Sequence, residues 1–412
     1  MNELWTLLTL QGGYNSAVVC SGAALLGAGG GVVGSFALLR KRAMVSDAVS
    51  HGTLPGVTAA FILGALFWGD GKQLSLLLLG AGVSAALSVV LVQAIARHTR
   101  LPEDAAIATV LSVFYGLGMV LLSAIQSMPT GGQAGLEDYL LGSTAGMLRS
   151  EAEFIGLAAL TVTGIAVLFF KEFGLLCFDP AYAAARGWRV AALDLFMLSL
   201  MVAIVVIGLK TVGLVLIIAI VIIPPVAARL WTERLQAMVV IAAAIGATGG
   251  YLGAALSATA PRLPSGGVIV LTLAALFVVS LLVAPARGLL AATVRQLRTR
   301  WILAERQGLL ALAVGQQPTT VLGKWLLRAK GHLAGAGRAT AKGLACARRT
   351  RRDQVLWDRL WRDYPEEALR LEAFALVPIE RALPADLVDH LERRVRADTP
   401  DLLASGPLPA AG

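Results

Sequence analysis

Asp47 and His51 stand four residues apart in the stretch GSFALLRKRAMVSDAVSHGTLPGV, residues 34–57. On an α-helix that spacing puts a carboxylate and an imidazole on one face, one turn apart. An oxygen and a nitrogen so placed make a two-point ligand set for a divalent metal ion. The surrounding residues are hydrophobic, and ionisable groups inside a membrane helix are costly enough to count as functional candidates. The same residues carry a blander reading. Asp47 follows Arg42 by five positions, so it would serve as an N-terminal helix charge near the headgroups, with His51 hydrogen-bonded between packed helices. Pro55 and Gly56 come next, and both loosen a helix, which makes Pro55 a candidate kink or gate.

The elements that must position this pair are membrane helices. The 412-residue chain is 57% hydrophobic and 15% charged, with mean hydropathy +0.74. A soluble domain carries roughly 25% charged residues. Spans of about 20 mostly apolar residues fall near 15–39, 46–68, 73–96, 105–127, 150–170, 191–209, 211–231, 235–257 and 266–285, nine in all. The fold class is therefore an all-α polytopic membrane protein with soluble mass attached. Gly- and Ala-rich runs such as Gly27–Gly34 and Gly246–Gly253 suit close helix packing in lipid. Cys20, Cys177 and Cys346 are far apart and form no Cys-x-x-Cys. The pattern suggests neither a disulfide framework nor a thiolate zinc site, and two of the three read as small apolar fillers. Met1–Tyr14 has no basic leader region and contains Glu3, so the first span is expected to direct insertion.

Orientation follows from the loop cations. One set of loops holds ten: Arg40, Lys41, Arg42, Arg97, Arg100, Lys171, Arg186, Arg189, Arg229 and Arg234. The opposite set holds four: Lys72, Arg149, Lys210 and Arg262. The richer set is expected to be cytoplasmic, the N-terminus outside and the C-terminal tail inside. In the outer loop 128–149, Asp138–Ser143 reads as a short re-entrant or interfacial piece, against the alternative of a solvated loop. In the inner loop 171–190, Asp179 is an N-cap candidate, Pro180 suits the first helical position and Gly187 suits the stop. A short helix through Ala183, delimited in this way, is either a docking element for a cytoplasmic partner or a plain connector. In the seventh span the pair Pro224-Pro225 must distort the helix and free backbone carbonyls, as a moving joint or a fixed kink.

After Pro285 the character changes. Residues 286–352 hold 14 basic residues and one acid, and residues 353–412 hold 7 basic and 12 acidic. The expected organisation is a membrane domain over 1–285, a basic linker over 286–299, a small helical cytoplasmic domain over 300–396, and a flexible tail over 397–412.

These residues carry a resemblance. The chain resembles the permease subunits of the ABC importers for manganese, zinc and iron. The carriers are Gly34-Ser35-Phe36 through Ser46–Gly56, then Glu103–Ile107 with Phe114–Gly118, then Asp179-Pro180 to Gly187, Val212-Gly213 and Pro224–Arg229. The resemblance implies a dimer of permeases in a prokaryotic plasma (inner) membrane, of identical or paired chains. It also implies an ATP-binding cassette ATPase on each permease and an extracytoplasmic solute-binding protein that delivers the metal. By this match the metal-path ligands fall on Asp47 and His51, and the coupling helix to the ATPase on Asp179, Pro180, Ala183 and Gly187. No permanently bound cofactor is implied: Mn2+, Zn2+ or Fe2+ is cargo, and ATP belongs to the partner. Residues 300–396 are similar to the winged-helix and dimerisation region of iron-dependent repressors. The matching parts are Leu333–Gly337, Ala347–Trp357, Ile379-Glu380 and Leu383–Glu392. Arg381 stands where those repressors place a metal-binding histidine, and a cation there repels a metal.

The leading reading is thus a transport subunit and not an enzyme, since the chain contains no Gly-x-x-x-x-Gly-Lys-Ser/Thr phosphate loop. One alternative is a membrane-tethered, metal-responsive DNA-binding regulator, which takes the basic stretch as a nucleic-acid footprint. Nine spans exceed what a tether needs, and attraction to anionic membrane lipid is the simpler account of that charge, so nucleic acid is not an expected partner. The other alternative is an ion-coupled secondary transporter, which would need a relay of deep ionisable residues beyond Asp47 and His51.

Overall fold

In a computed structural model, residues 14–68, 73–127, 149–213, 217–259, 264–334, 337–371 and 377–398 are described. They divide into two units, residues 1–291 and 292–412. The expected piece at Asp138–Ser143 lies outside the described residues.

The first unit is a helical bundle in the order α1 (Tyr14–Leu39), α2 (Val45–Trp68), α3 (Leu74–His98), α4 (Glu103–Gln126), α5 (Arg149–Leu168), α6 (Phe170–Phe178), α7 (Pro180–Ala185), α8 (Val190–Val212), α9 (Ile217–Trp231), α10 (Leu235–Ser257) and α11 (Ser265–Val283). Eight of these are long and apolar enough to cross a membrane. The expected span at 211–231 needs correction. Gly213 ends α8 with φ +92°, a conformation open to glycine, and the next helix is described from Ile217. The resulting α9 has 15 residues, about 22 Å of helix against a hydrocarbon core of about 30 Å. Ile217 packs on Gly208 near Leu26, and Ala228 shares a cluster with Leu38 and Leu39. Helix α9 therefore lies beside the C-terminal half of α1.

Helix α1 is the centre of this unit, and small residues explain how. Gly27 and Gly246 meet backbone to backbone, so a side chain at either would strike the other's carbonyl. Such contact between α1 and α10 is the small-residue packing that lipid favours. The prolines of α9 act in the same place. Pro224 and Pro225 offer no N–H to the carbonyls of Ile220 and Val221 four residues earlier. Those two carbonyl oxygens lie against Gly30 and Gly34 of α1, where a Cβ would collide with them. Both prolines are buried inside a continuous helix.

The second unit continues from α12 (Leu289–Ala313) through α13 (Val321–Ala329), α14 (Ala341–Asp363), α15 (Pro365–Arg370), α16 (Ile379–Ala382) and α17 (Ala385–Asp398). The stretch 286–299, read as a basic linker, is helical from Leu289 onward. Leu309, Leu312, Leu327, Leu333 and Ala347 form one core, and Leu356, Trp357, Leu360, Ile379 and Leu391 anchor another. Leu333 and Ala339 pair as a single antiparallel bridge. Thr320 and Thr340 cap α13 and α14, accepting from the amides of Gly323 and Gly343 at 3.2 and 3.1 Å.

Candidate metal site

Helix α2 places Asp47 in its first turn and His51 one turn on, both half-buried. Its other faces are fixed by close packing. Ser88 of α3 fills the space beside Gly52, and its hydroxyl lies 3.4 Å from the Ala48 carbonyl. Gly118 of α4 leaves room for Leu54. The His51 ring meets Tyr115 of α4 edge-on, with centroids 5.2 Å apart at 84°. Its Nδ1 is buried and has no hydrogen-bond partner. That counts against the reading of His51 as a satisfied packing histidine, because a buried polar atom without a partner costs stability. Pro55 sits within the helix and lacks the N–H that the His51 carbonyl would otherwise receive.

The neighbouring cations do not neutralise Asp47. Arg40 Nε pairs with Asp194 Oδ1 at 3.2 Å, and Arg42 Nη2 with Asp194 Oδ2 at 3.1 Å. The other Arg42 nitrogen holds Glu103 at 3.1 Å. Asp194, the fifth residue of α8, is 2% exposed. Three elements are thus tied at one end of the bundle: the α1–α2 turn and the starts of α4 and α8. Within that turn Lys41 adopts φ +62°, a strained value for a residue with a side chain.

The short helix α7 lies at the same end, directly before α8. Asp179 accepts from the Tyr182 amide at 2.8 Å, Pro180 opens the helix, and Gly187 turns the chain with φ +87°. Ala183 is fully buried while Tyr182, Trp188 and Phe178 are exposed. Arg186 stacks over the Tyr182 ring, 5.8 Å to the centroid, and donates to its hydroxyl. Before α7, burial pushes the Cys177 thiol up to about 12, with Arg40 pulling the other way. A thiol held neutral in this way fits the role of filler.

Asp47 and His51 therefore come together as their spacing implies, and Pro55 adjoins them. Pro224 and Pro225 face α1 instead. Among the described residues no group of three or more His, Cys, Asp and Glu gathers. Asp194 escaped the sequence reading, because its partners lie about 150 residues away; its signal was a lone acid inside an apolar run.

The ABC 3 transport family model matches residues 15–284. The chain belongs to that family. The chain is 41% identical over 298 residues to the manganese transport system membrane protein MntC of Bacillus subtilis, covering 72% of this chain and 67% of that protein. It is 37% identical over 284 residues to the zinc transport system membrane protein TroC of Treponema pallidum, covering 69% and 94%. Among solved structures it is similar to PsaBC from Streptococcus pneumoniae in complex with Fab. There the TM-score is 0.58 and the identity 28%, over 68% of this chain and 95% of that one. As an ABC 3 family member the chain is a multi-pass membrane permease.

Proposed function

We propose that this chain is the membrane permease of an ATP-driven importer of divalent manganese or zinc, with Fe2+ as a third candidate cargo. The observation that carries the proposal is His51 Nδ1, buried without a hydrogen-bond partner one turn from the Asp47 carboxylate, while nearby Arg40 and Arg42 are engaged by Asp194. The relatives named for manganese and zinc transport supply the ion class. The Asp47 carboxylate offers the oxygen that manganese favours, and the imidazole the nitrogen that zinc favours. Two side chains and the His51 carbonyl make an incomplete shell. A second permease copy would add an equivalent set, and retained water the rest. Binding must compensate for lost hydration and still permit release.

The N-terminus is outside and the tail cytoplasmic in this reading, which requires α9 with the residues before it to complete a ninth crossing. Helix α7 is then the docking element for a separate ATPase, and an extracytoplasmic binding protein delivers the ion. The pair lies near the α7 end, so movement of α7 reaches it through Asp194 and the α1–α2 turn. The tail is a winged-helix-like domain whose bridge at Leu333 and Ala339 marks a small wing, and Arg381 keeps metal from its repressor-type site.

The test is uptake of radiolabelled manganese and zinc by cells carrying the complete transporter, comparing wild type with Asp47→Ala and His51→Ala at equal membrane levels. Collapse of one ion's uptake in both variants is the expected result and names the cargo. Unchanged uptake in both removes the pair from the path.

A further inference from the structure

Helices α2 and α4 run side by side in the same direction, and two contacts fix their register. The His51 ring meets Tyr115, and one turn further on Leu54 packs on Gly118. Both pairs have the same separation in sequence, so the two helices are in step. By that register Leu111, one turn before Tyr115, stands level with Asp47. Beyond Glu103 and Asp104 in its first turn, α4 contains no acid and no histidine. What α4 brings to the level of the metal pair is thus an aromatic ring and a leucine.

A histidine that ligates a metal almost always donates its second ring N–H to a carboxylate, a backbone carbonyl or a water, and that bond fixes the orientation of the ring. Among the described residues His51 makes no such bond, and its Nδ1 is buried without one. The ring contact stands in that place. Its centroid distance of 5.2 Å and angle of 84° are those of a favourable edge-to-face pair. Core packing does not account for Tyr115, which is 43% exposed, whereas its neighbour Phe114 is 8% exposed and belongs to the main core.

We propose that Tyr115 is a positioning residue of the ion site: its ring holds the His51 imidazole in the orientation that offers a nitrogen to an ion on the Asp47 carboxylate. This rests on the metal-path reading of Asp47 and His51 given above. It deepens that reading by assigning a source of selectivity. Zinc favours imidazole nitrogen in fixed, tetrahedral directions, while manganese is served by carboxylate, carbonyl and water oxygens. A loosened His51 therefore penalises zinc more than manganese, and Tyr115 sets the balance between the two ions without touching either.

The experiment measures equilibrium binding of radiolabelled zinc and manganese to the purified permease with its ATPase in lipid nanodiscs, without ATP or binding protein. Wild type is compared with Tyr115→Phe, Tyr115→Leu and Tyr115→Met, the last two being aliphatic side chains of different shape. An edge-to-face pair corresponds to about 2- to 12-fold in affinity. Zinc binding by the Leu and Met variants should weaken by that factor, manganese binding should change by less than about twofold, and Tyr115→Phe should match wild type for both ions. Wild-type binding of both ions by the Leu and Met variants overturns the proposal. An equal loss for zinc and manganese overturns it in favour of a general packing effect, which has no reason to distinguish the ions. A loss in Tyr115→Phe as large as in Tyr115→Leu overturns it in favour of the hydroxyl. Asp47→Ala and His51→Ala are measured alongside. If they abolish binding and the Tyr115 variants do not alter it, this inference fails alone; if they leave binding intact, the metal-path reading fails and takes this inference with it.

Discussion

Changing Asp194 to Asn should cost this protein a large part of its margin of stability. The side chain keeps its shape and loses its charge, so packing is preserved and the effect is electrostatic. The Asp194 side chain is 3% exposed, while those of Arg40 and Arg42 are 22% and 18% exposed. Removing one partner of a fully buried ion pair costs about 3–5 kcal/mol. Here both guanidiniums retain some water, and Arg42 keeps Glu103. The cost therefore falls to about 2–3 kcal/mol, which is about a hundredfold in the unfolding equilibrium. Arg40→Gln should cost less, about 1–2 kcal/mol, because Asp194 retains Arg42. The double variant should be less destabilised than the sum of the two by at least about 1 kcal/mol, since the second change removes an interaction already lost. Reversible unfolding in mixed micelles, followed by tryptophan fluorescence, measures all three. An Asp194→Asn protein within about 0.5 kcal/mol of wild type, the usual range for surface changes, would refute the reasoning. The three-way clamp would then be a solvated arrangement with no hold on the bundle.

Other consequences are testable in the same preparations. Gly34→Val should abolish stable folding, because its side chain would occupy the place of the Val221 carbonyl; a monodisperse, active variant would show that α1 and α9 can separate cheaply. Asp179→Ala removes the cap on α7 and should cost about 1 kcal/mol; on the proposed function, transport-linked ATPase stimulation should also fall while metal binding is retained, and unchanged stimulation would count against α7 as the docking element. Lys41→Gly should stabilise by up to about 1 kcal/mol, since glycine adopts φ +62° without strain; a lower melting temperature would mean that the lysine side chain makes a contact worth more than the strain. In the tail, hydrogen bonds from Arg352 and Arg349 hold the Glu380 carboxyl below the usual carboxylate range, and Arg359 and Arg394 do the same for Asp363. Depressed values stabilise the folded state above the ordinary carboxylate pKa, and that contribution is lost as pH falls through them. Amide protection of α14 and α17 in the whole protein should thus persist to about pH 4 and decline below it; a decline already between about pH 6 and 5 would assign the control to other groups.

What the sequence made legible was mostly local. Asp179, Pro180 and Gly187 announced α7 because capping, proline and a left-handed stop are decided within a few residues. Asp47 and His51 could be placed on one helix face by spacing alone. The break before α9 was not legible, because hydropathy runs unbroken through Gly213-Leu214-Val215 while Gly213 ends α8 with φ +92°. Pro224 and Pro225 were legible as a source of free carbonyls, but not the glycines those carbonyls face, since that pairing joins segments nearly 200 residues apart. Asp194 was hidden for the same reason. The start of α12 at Leu289 was hidden as well, because the density of arginine around it suggested a linker.

The arginines of the α1–α2 turn have a history as well as a position. On the proposed topology Arg40 and Arg42 hold their loop on the cytoplasmic side as α1 and α2 enter the membrane. Their buried partner is Asp194, which is made about 150 residues later. At about 5–20 residues per second, roughly 8–30 s of synthesis pass in which Arg40 remains hydrated and free to act as a topological anchor, while Arg42 meets Glu103 of α4 sooner. Only when α8 arrives do both close on Asp194. The two residues serve first as an address and later as a lock. A variant such as Asp194→Asn should accordingly insert with normal orientation and fail afterwards, during assembly of the bundle.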